Sequence, residues 1–270
     1  MSLLIFIFVF LLGTIIGSFL NVVIYRFNTG RTMVSGRSIC MNCNNNLRWY
    51  ELIPVFSFLI QSGKCRRCAS KISHQYPLVE LLTGLVFALI LFKFLPLLFV
   101  SYSLYLLYVV LFVFIFSLLI VISVYDLRHK IIPDKLVYTF GIISLLSTFI
   151  NPSQLGTIFA LPSIYTLIAG PLIALPFVLI WYFSKGRLMG LGDGKLVLGI
   201  GWILGISQGI FAIILSFWIG TIVSLVIMFL SKKRMNLKTE IPFAPFIIIS
   251  AFLTFLFNLD ISSLIKLFSM

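Results

Sequence analysis

Long apolar runs constrain this chain more than any other feature of its sequence. A hydrocarbon core about 30 Å thick is crossed by about 20 apolar residues in an α-helix. Hydrophobic residues make up 61% of the 270 positions and charged residues only 10%, which excludes an ordinary soluble domain. We therefore predict an all-α, polytopic membrane protein of about eight transmembrane helices. The runs lie near residues 3–25, 78–99, 102–125, 135–150, 162–183, 194–206, 208–230 and 242–259.

The first run begins directly after Met1 and Ser2, with no basic segment ahead of it and no small-residue cleavage site. We expect an uncleaved helix rather than a signal peptide. Gly13, Gly17 and Ser18 recur on one face of this helix, a pattern that lets membrane helices approach closely.

The distribution of basic residues predicts the orientation, because Lys and Arg concentrate in loops that stay in the cytoplasm. With the N-terminus outside, four inward-facing segments hold 18 of the 20 Lys and Arg residues, leaving only Lys93 and Lys266 outside. Those segments are 26–76, 126–135, 184–195 and 231–238. Topology and contact with an anionic lipid bilayer explain the net charge of +13 better than nucleic acid, which we do not expect as a partner.

The only sizeable polar segment, 26–76, contains all four cysteines. We predict three parts: a first transmembrane helix (1–25), a small cytoplasmic zinc-binding domain (26–76) and a transmembrane domain of about seven helices (77–270).

The cysteines form two C-x-x-C pairs with 21 residues between them, one more than the usual spacing of paired zinc-binding motifs, and the pattern still favours a four-cysteine zinc site. A reducing cytoplasm disfavours disulfides, and four thiolates suit the closed tetrahedral site of structural zinc. We expect Lys64, Arg66 and Arg67 to stabilise the thiolates. The alternative, two disulfides, requires the reversed topology. The four predicted ligands are Cys40, Cys43, Cys65 and Cys68.

Two of the seven acidic residues lie at matching helix ends on the predicted cytoplasmic side. Asp126 follows the apolar run 102–125, and Asp193 directly precedes the short run 194–206. A carboxylate at a membrane helix is a functional hypothesis by default. Two neighbouring carboxylates can share one proton, which is what aspartyl peptide hydrolysis requires. For each aspartate alone a helix-end charge is the better explanation, and their pairing at one depth reverses that preference in favour of catalysis.

Three glycines surround Asp193, at 190, 192 and 194. Glycine is costly inside a helix, so either a close approach of backbone to substrate or tight helix packing explains Gly190, Gly192 and Gly194.

Other polar residues have more ordinary interpretations. Asp134 begins the fourth run, where a carboxylate can cap the helix. Glu80 lies about one turn into the second run, where it can pair with a cation or contact substrate. We expect His129 to be solvated, since no serine-type constellation surrounds it.

Several motifs in order resemble the type IV prepilin peptidases, which are bifunctional leader peptidases and N-methyltransferases. The resemblance covers almost the whole chain and includes the paired cysteines and Gly190-Leu191-Gly192-Asp193, which is similar to the family's G-x-G-D. The other matching stretches are 17–26, Ile53-Pro54, 76–80, Asp126 and 132–134.

The resemblance implies that Asp126 and Asp193 are catalytic and that the substrate is a pilin-like precursor, cut after a glycine that follows a short basic leader. It also implies methylation of the new N-terminus from S-adenosylmethionine. The cysteine segment favours the bifunctional form, with Glu51 a weak candidate there. Ala244 departs from the glycine common in the family's P-F-G-P motif.

Two other classes of protein were weighed. A transporter or channel would use the same aspartates as an ion relay, but it predicts repeats and a site near the bilayer midplane. A membrane scaffold would use the zinc domain for docking and the aspartates as caps.

Overall fold

The computed structural model describes residues 3–30, 32–34, 36–150, 159–230 and 241–262. Within these ranges the protein is helical and contains isolated β-bridges but no strand. Two short 3₁₀-helices, Trp49–Leu52 and Leu95–Phe99, accompany the α-helices. The α-helices are α1 Leu3–Arg26, α2 Phe56–Ile60, α3 Gln75–Lys93, α4 Tyr102–His129, α5 Asp134–Ser147, α6 Ile164–Ser184, α7 Leu191–Leu230 and α8 Ala244–Phe257.

The predicted all-α membrane architecture is confirmed, and each predicted run coincides with helix. The two runs 194–206 and 208–230 form the single element α7, which is broken at Gly205, where φ is +73° and ψ is −176°. Of the described helices, five are long and apolar enough to cross a membrane: α1, α3, α4, α6 and α7. The predicted 231–238 loop and Lys266 lie outside the described residues.

Compact packing divides the chain into two units, Met1–Val121 and Ile122–Met270. In the first unit, α1 packs directly on α3 through the small residues that the sequence singled out. A Cβ added to Gly13 would lie 2.7 Å from the Gly84 Cα, and one added to Gly17 would lie 2.7 Å from the Glu80 Cα. Real Cβ atoms do not approach this closely, so the close helix contact requires glycine. The predicted packing role of this face is confirmed.

In the second unit, α7 packs against α5, α6 and α8. A Cβ on Gly201 would lie 2.7 Å from the Gly170 Cα of α6, so these two backbones also meet at glycines. On the α5 side, the fully buried ring of Phe140 lies against Gly199. These contacts place the first half of α7 in the centre of the unit. They hold in position the helix whose first turn contains Asp193.

A proline inside α6 creates a backbone acceptor that a side chain of α7 satisfies. Pro171 has no N–H, so the carbonyl of Leu167, four residues earlier, loses its helical donor. The indole Nε1 of Trp202 donates to that carbonyl at 3.0 Å. Hydrocarbon offers no replacement donor for this carbonyl. The hydrogen bond from Trp202 therefore satisfies the Leu167 carbonyl and also joins α6 to α7.

Replacing Trp202 with Phe should keep the aromatic volume but leave the Leu167 carbonyl without a donor. We expect a loss of about 1–3 kcal/mol of folding free energy, the cost of one unsatisfied polar group. The measurement is the melting temperature of the purified protein in detergent. Trp218→Phe is the control, because Trp218 is 55% exposed on α7. An equal melting temperature for the Trp202→Phe variant and the unmodified protein would contradict this assignment.

Candidate active site and metal centre

Asp126 lies inside the last turn of α4, because that helix continues to His129 rather than ending with the apolar run. The residue is only 5% exposed. Its carboxylate accepts a hydrogen bond from the backbone N–H of Ala244. A buried carboxylate is costly unless it is hydrogen-bonded, and this donor provides part of the compensation.

Ala244 is the first residue of α8 and is fully buried. The first N–H groups of a helix have no intrahelical acceptor, and the helix dipole favours an anion there. The start of α8 therefore stabilises the Asp126 carboxylate. Sequence reasoning noted Ala244 only as a departure from a glycine motif and missed its role, since a backbone donor leaves no signature in residue type.

Asp193 lies in the first turn of α7 and is half-buried. Asp126 is its charged neighbour, and the two carboxylates interact electrostatically. The structure thus brings together the two aspartates that the sequence paired. Helix ends from distant parts of the chain supply them, one from the end of α4 and the other from the start of α7.

For the glycines around Asp193 the sequence left two explanations open: a close approach of backbone to substrate, or tight helix packing. A Cβ on Gly192 would lie 2.9 Å from the Ile132 Cβ, so Gly192 is required by packing. Gly194 would make only ordinary contacts with Phe177 and Val178. At Gly190 a Cβ would lie 4.0 Å from the Asp193 carboxylate and would meet no closer side chain, so packing does not require glycine there.

Asp134 does not cap α5 in the way that its position suggests. It is the first residue of the helix, Pro133 is the N-cap, and no side-chain cap hydrogen bond is present. The Asp134 Oδ1 instead accepts a hydrogen bond from the Lys195 Nζ at 2.5 Å. An ammonium attracts the carboxylate more strongly than a neutral N–H does, which explains the difference.

Glu80 is 6% exposed on α3, and none of the cations that the structure describes forms an ion pair with it. The carboxylate Oε2 accepts the backbone N–H of Val55 at 2.7 Å, and the Ser18 hydroxyl also donates to the carboxylate. Val55 has a φ of +62°, an unusual conformation for a β-branched residue. Glu80 therefore holds a strained turn of the cysteine segment on the α1–α3 pair.

Two further candidates have local partners. The Glu51 carboxylate accepts the backbone N–H of Arg48 at 2.7 Å and so caps a 3₁₀-helix. His129 is exposed, as expected, and its ring lies 4.4 Å from that of Tyr125.

The four cysteines form one cluster. Their sulfur atoms lie within 4.8 Å of one another, and all four thiols are free, so the disulfide alternative is wrong. A tetrahedral zinc site with bonds of about 2.3 Å places its sulfurs about 3.8 Å apart. The Sγ atoms of Cys40 and Cys68 are 3.8 Å apart. The cluster therefore fits a metal ion of this size.

The two C-x-x-C pairs fold into the same turn. The amide of Cys40 donates to the Asn45 carbonyl at 3.0 Å, and the amide of Cys65 donates to the Ser70 carbonyl at 2.9 Å. Asn44 and Ala69 occupy equivalent left-handed positions, with φ of +53° and +56°. The residues of the two turns differ, and for this reason the repeat was not visible in the sequence.

Neutral groups, rather than the predicted basic side chains, contact the sulfurs. Asn42 Nδ2 lies 3.7 Å from the Cys68 Sγ, and Asn45 Nδ2 lies 3.6 Å from the Cys43 Sγ. The Ser70 side chain, followed by its backbone, lowers the pKa of the Cys68 thiol to about 6 by hydrogen bonding. That shift favours the thiolate, which is the form that binds metal.

The basic residues have other partners. The Arg66 guanidinium lies 5.1 Å from the Tyr50 ring centroid, and Arg67 donates to the Asn45 Oδ1 at 3.0 Å. They brace the two turns instead of contacting the thiolates.

Comparison with known proteins agrees with this geometry. Residues 11–94 match the Bacterial Peptidase A24 N-terminal domain, and residues 113–225 match the Type IV leader peptidase family. A prepilin leader peptidase/N-methyltransferase of Bacillus subtilis (strain 168) is 31% identical over 254 residues, covering 94% of this chain and 95% of that protein. The chain belongs to the type IV leader peptidase family.

Other members of the family are similarly related over most of their length. A prepilin leader peptidase/N-methyltransferase of Vibrio cholerae is 29% identical, covering 91% of this chain and 94% of that protein. The corresponding protein of Neisseria gonorrhoeae is 30% identical, covering 92% and 88%. No solved structure matches the chain significantly. The resemblance found from the motifs is confirmed, and the chain is a multi-pass membrane peptidase of this family.

Proposed function

We propose that this protein is a membrane aspartyl endopeptidase in which Asp126 and Asp193 are the catalytic pair. The observation that carries the proposal is the electrostatic interaction between these two aspartates, which lie at the end of α4 and at the start of α7. Family membership supports peptidase activity. The surrounding contacts match the chemistry, because the Asp126 carboxylate is held by a backbone donor.

Two adjacent carboxylates cannot both ionise easily, so the pair retains one proton at neutral pH. The ionised member accepts a proton from the attacking water, while the protonated member donates a hydrogen bond to the carbonyl of the scissile bond. The N–H of Ala244 favours negative charge on Asp126. The two roles are then exchanged as the leaving amine takes up its proton.

The substrate that we propose is a pilin-like precursor with a short basic leader ahead of an apolar helix. The names of the relatives in Bacillus and Vibrio support this class. Cleavage takes place at the cytoplasmic face of the bacterial inner membrane, with the N-terminus of the enzyme outside. The one-sided distribution of Lys and Arg supports that orientation.

We also propose that the four cysteines hold a structural zinc ion. The described part of segment 26–76 has one buried apolar side chain besides Phe27 at its border, that of Cys65, so metal ligation replaces a hydrophobic core. The two equivalent turns present two thiolates each to one tetrahedral ion. Zinc contributes folding free energy here, and we assign it no chemical step.

N-methylation of the new N-terminus is the second activity, and it is named in the relatives across the chain's length. S-adenosylmethionine supplies the methyl group as a substrate of that reaction. The family match over 11–94 includes the cysteine segment, which supports the bifunctional form.

Asp126→Asn and Asp193→Asn should each abolish cleavage of a coexpressed pilin precursor. An amide has the size of the carboxylic acid but can neither accept nor share the proton. Processing is measured by the shift of the precursor on a gel, with Glu51→Gln as a control acid in the cysteine segment. If both aspartate variants processed the precursor normally, the protease assignment would be wrong.

One zinc ion per chain is expected in the purified protein, measured by elemental analysis. Cys40→Ser should lose that zinc, because a hydroxyl is a poor replacement for a thiolate ligand. Met41→Ser, at an exposed position in the same turn, should retain it. Full zinc content in Cys40→Ser would contradict a four-cysteine site.

The mature pilin produced by this enzyme should carry one added methyl group at its N-terminus. Mass spectrometry of the N-terminal peptide provides the measurement, with the pilin from cells expressing Asp193→Asn as the unprocessed control. A cleaved but unmethylated terminus would restrict the enzyme to peptidase activity.

A further inference from the structure

The first turn of α7 carries a second charged residue that the proposed cleavage chemistry does not use. Lys195 follows Asp193 by two positions, so the two side chains leave the helix in different directions. The Lys195 Nζ reaches Asp134 Oδ1 at 2.5 Å and lies 4.7 Å from the ring centroid of Tyr138. Asp134 and Tyr138 are one turn apart on α5, so they present one face to Lys195.

Helix electrostatics make this pairing specific. A cation in the first turn of a helix opposes the helix dipole, whereas a carboxylate in the first turn agrees with it. Lys195 is therefore poorly placed with respect to its own helix, and Asp134 is well placed with respect to α5. The ion pair joins the starts of α5 and α7, and the Asp134 carboxylate compensates the unfavourable position of Lys195 in its own helix. The Lys195 side chain is only 21% exposed, although Asp134 is 66% exposed.

A second contact holds the other side of Asp193. Gly192 packs against Ile132, where a Cβ on the glycine would come within 2.9 Å. Ile132 precedes Asp134 by two residues, so Gly192 before Asp193 and Lys195 after it contact the same short segment, 132–138. That segment includes Pro133, whose ring fixes φ and stiffens the connection.

The same segment is anchored to Asp126. The amide of Lys130 donates to the Asp126 carbonyl at 2.7 Å and closes the last turn of α4. The chain then runs through residues 131–133 to Asp134. These interactions form a closed ring. It runs from Asp126 along the chain to Asp134, across the ion pair to Lys195 and along α7 to Asp193. The electrostatic interaction between the two carboxylates leads back to Asp126.

We propose that Asp134 and Lys195, with Tyr138, are positioning residues that set the separation of the two catalytic carboxylates. The inference rests on the proposed function of Asp126 and Asp193. An ion pair whose carboxylate is 66% exposed contributes little to folding free energy, so the effect of this pair is on geometry. Misplacement of a catalytic group by about 1 Å can cost about 100-fold in rate, so partial loosening of the ring has a measurable cost.

The test uses the purified full-length protein in detergent and a pilin precursor with a fluorescent label on its leader. Asp134→Ala and Lys195→Met should each lower kcat about tenfold, leave KM within about twofold and leave the melting temperature unchanged. The double variant should lose no more than either single variant, because both changes open the same ring. Asp134→Glu, which keeps the carboxylate, should recover most of the activity.

Lys135→Met is the matched control, since it removes an exposed cation beside Asp134 without touching the pair, and it should keep the kcat of the unmodified enzyme. The proposal is overturned if the two single variants keep normal kcat, if only KM rises, if their effects multiply in the double variant, or if activity falls only together with melting temperature. An equal loss in Lys135→Met would also overturn it.

Asp126→Asn in the same assay tests the proposed function separately. Full activity of that variant would show that Asp126 is not part of a catalytic pair. Loss of activity in Asp126→Asn together with normal kcat in the Asp134→Ala and Lys195→Met variants would reject the positioning role alone.

Discussion

A backbone polar group inside a bilayer must find its partner within the protein, and the organisation of this chain depends on that requirement. Helices satisfy it along most of their length. The exceptions are helix starts, prolines and irregular turns, and an example of each has an identified partner here. Trp202 supplies the donor that Pro171 removes, and the first N–H of α8 meets the Asp126 carboxylate. The Asp126 carboxylate and the helix start thus each satisfy an otherwise costly polar group.

The same reasoning explains why acidic residues are few but well connected. Glu80 accepts the N–H of Val55, a residue in a turn that its own side chain disfavours. Asp134 pairs with Lys195, whose position in the first turn of α7 is unfavourable for a cation. In each case the carboxylate joins two elements that apolar contacts alone would leave free to slide. The chain has seven acidic residues, and two of them, Glu80 and Asp134, fix the position of one structural element against another.

Glycine has a complementary part in both units. Membrane helices gain little from burying apolar surface against each other, since lipid is equally apolar, so close packing has to supply the attraction. Gly13 and Gly17 allow α1 to meet α3, and Gly170 and Gly201 allow α6 to meet α7. The cysteine segment solves a different problem, because it has few apolar side chains to bury and relies on four converging thiols.

The sequence by itself determined the helical membrane architecture, the break between the two halves of α7, the cysteine cluster and the pairing of Asp126 with Asp193. Run length, residue spacing and charge bias carry that information locally, and the G-x-G-D motif adds the family. The tertiary structure decided what each polar group touches: Ala244 on Asp126, Lys195 on Asp134, and asparagine and serine, rather than arginine, on the sulfurs. Apart from the local contact of Ser70 with Cys68, those contacts join residues far apart in the chain or use backbone donors, and neither kind leaves a pattern in the order of side chains.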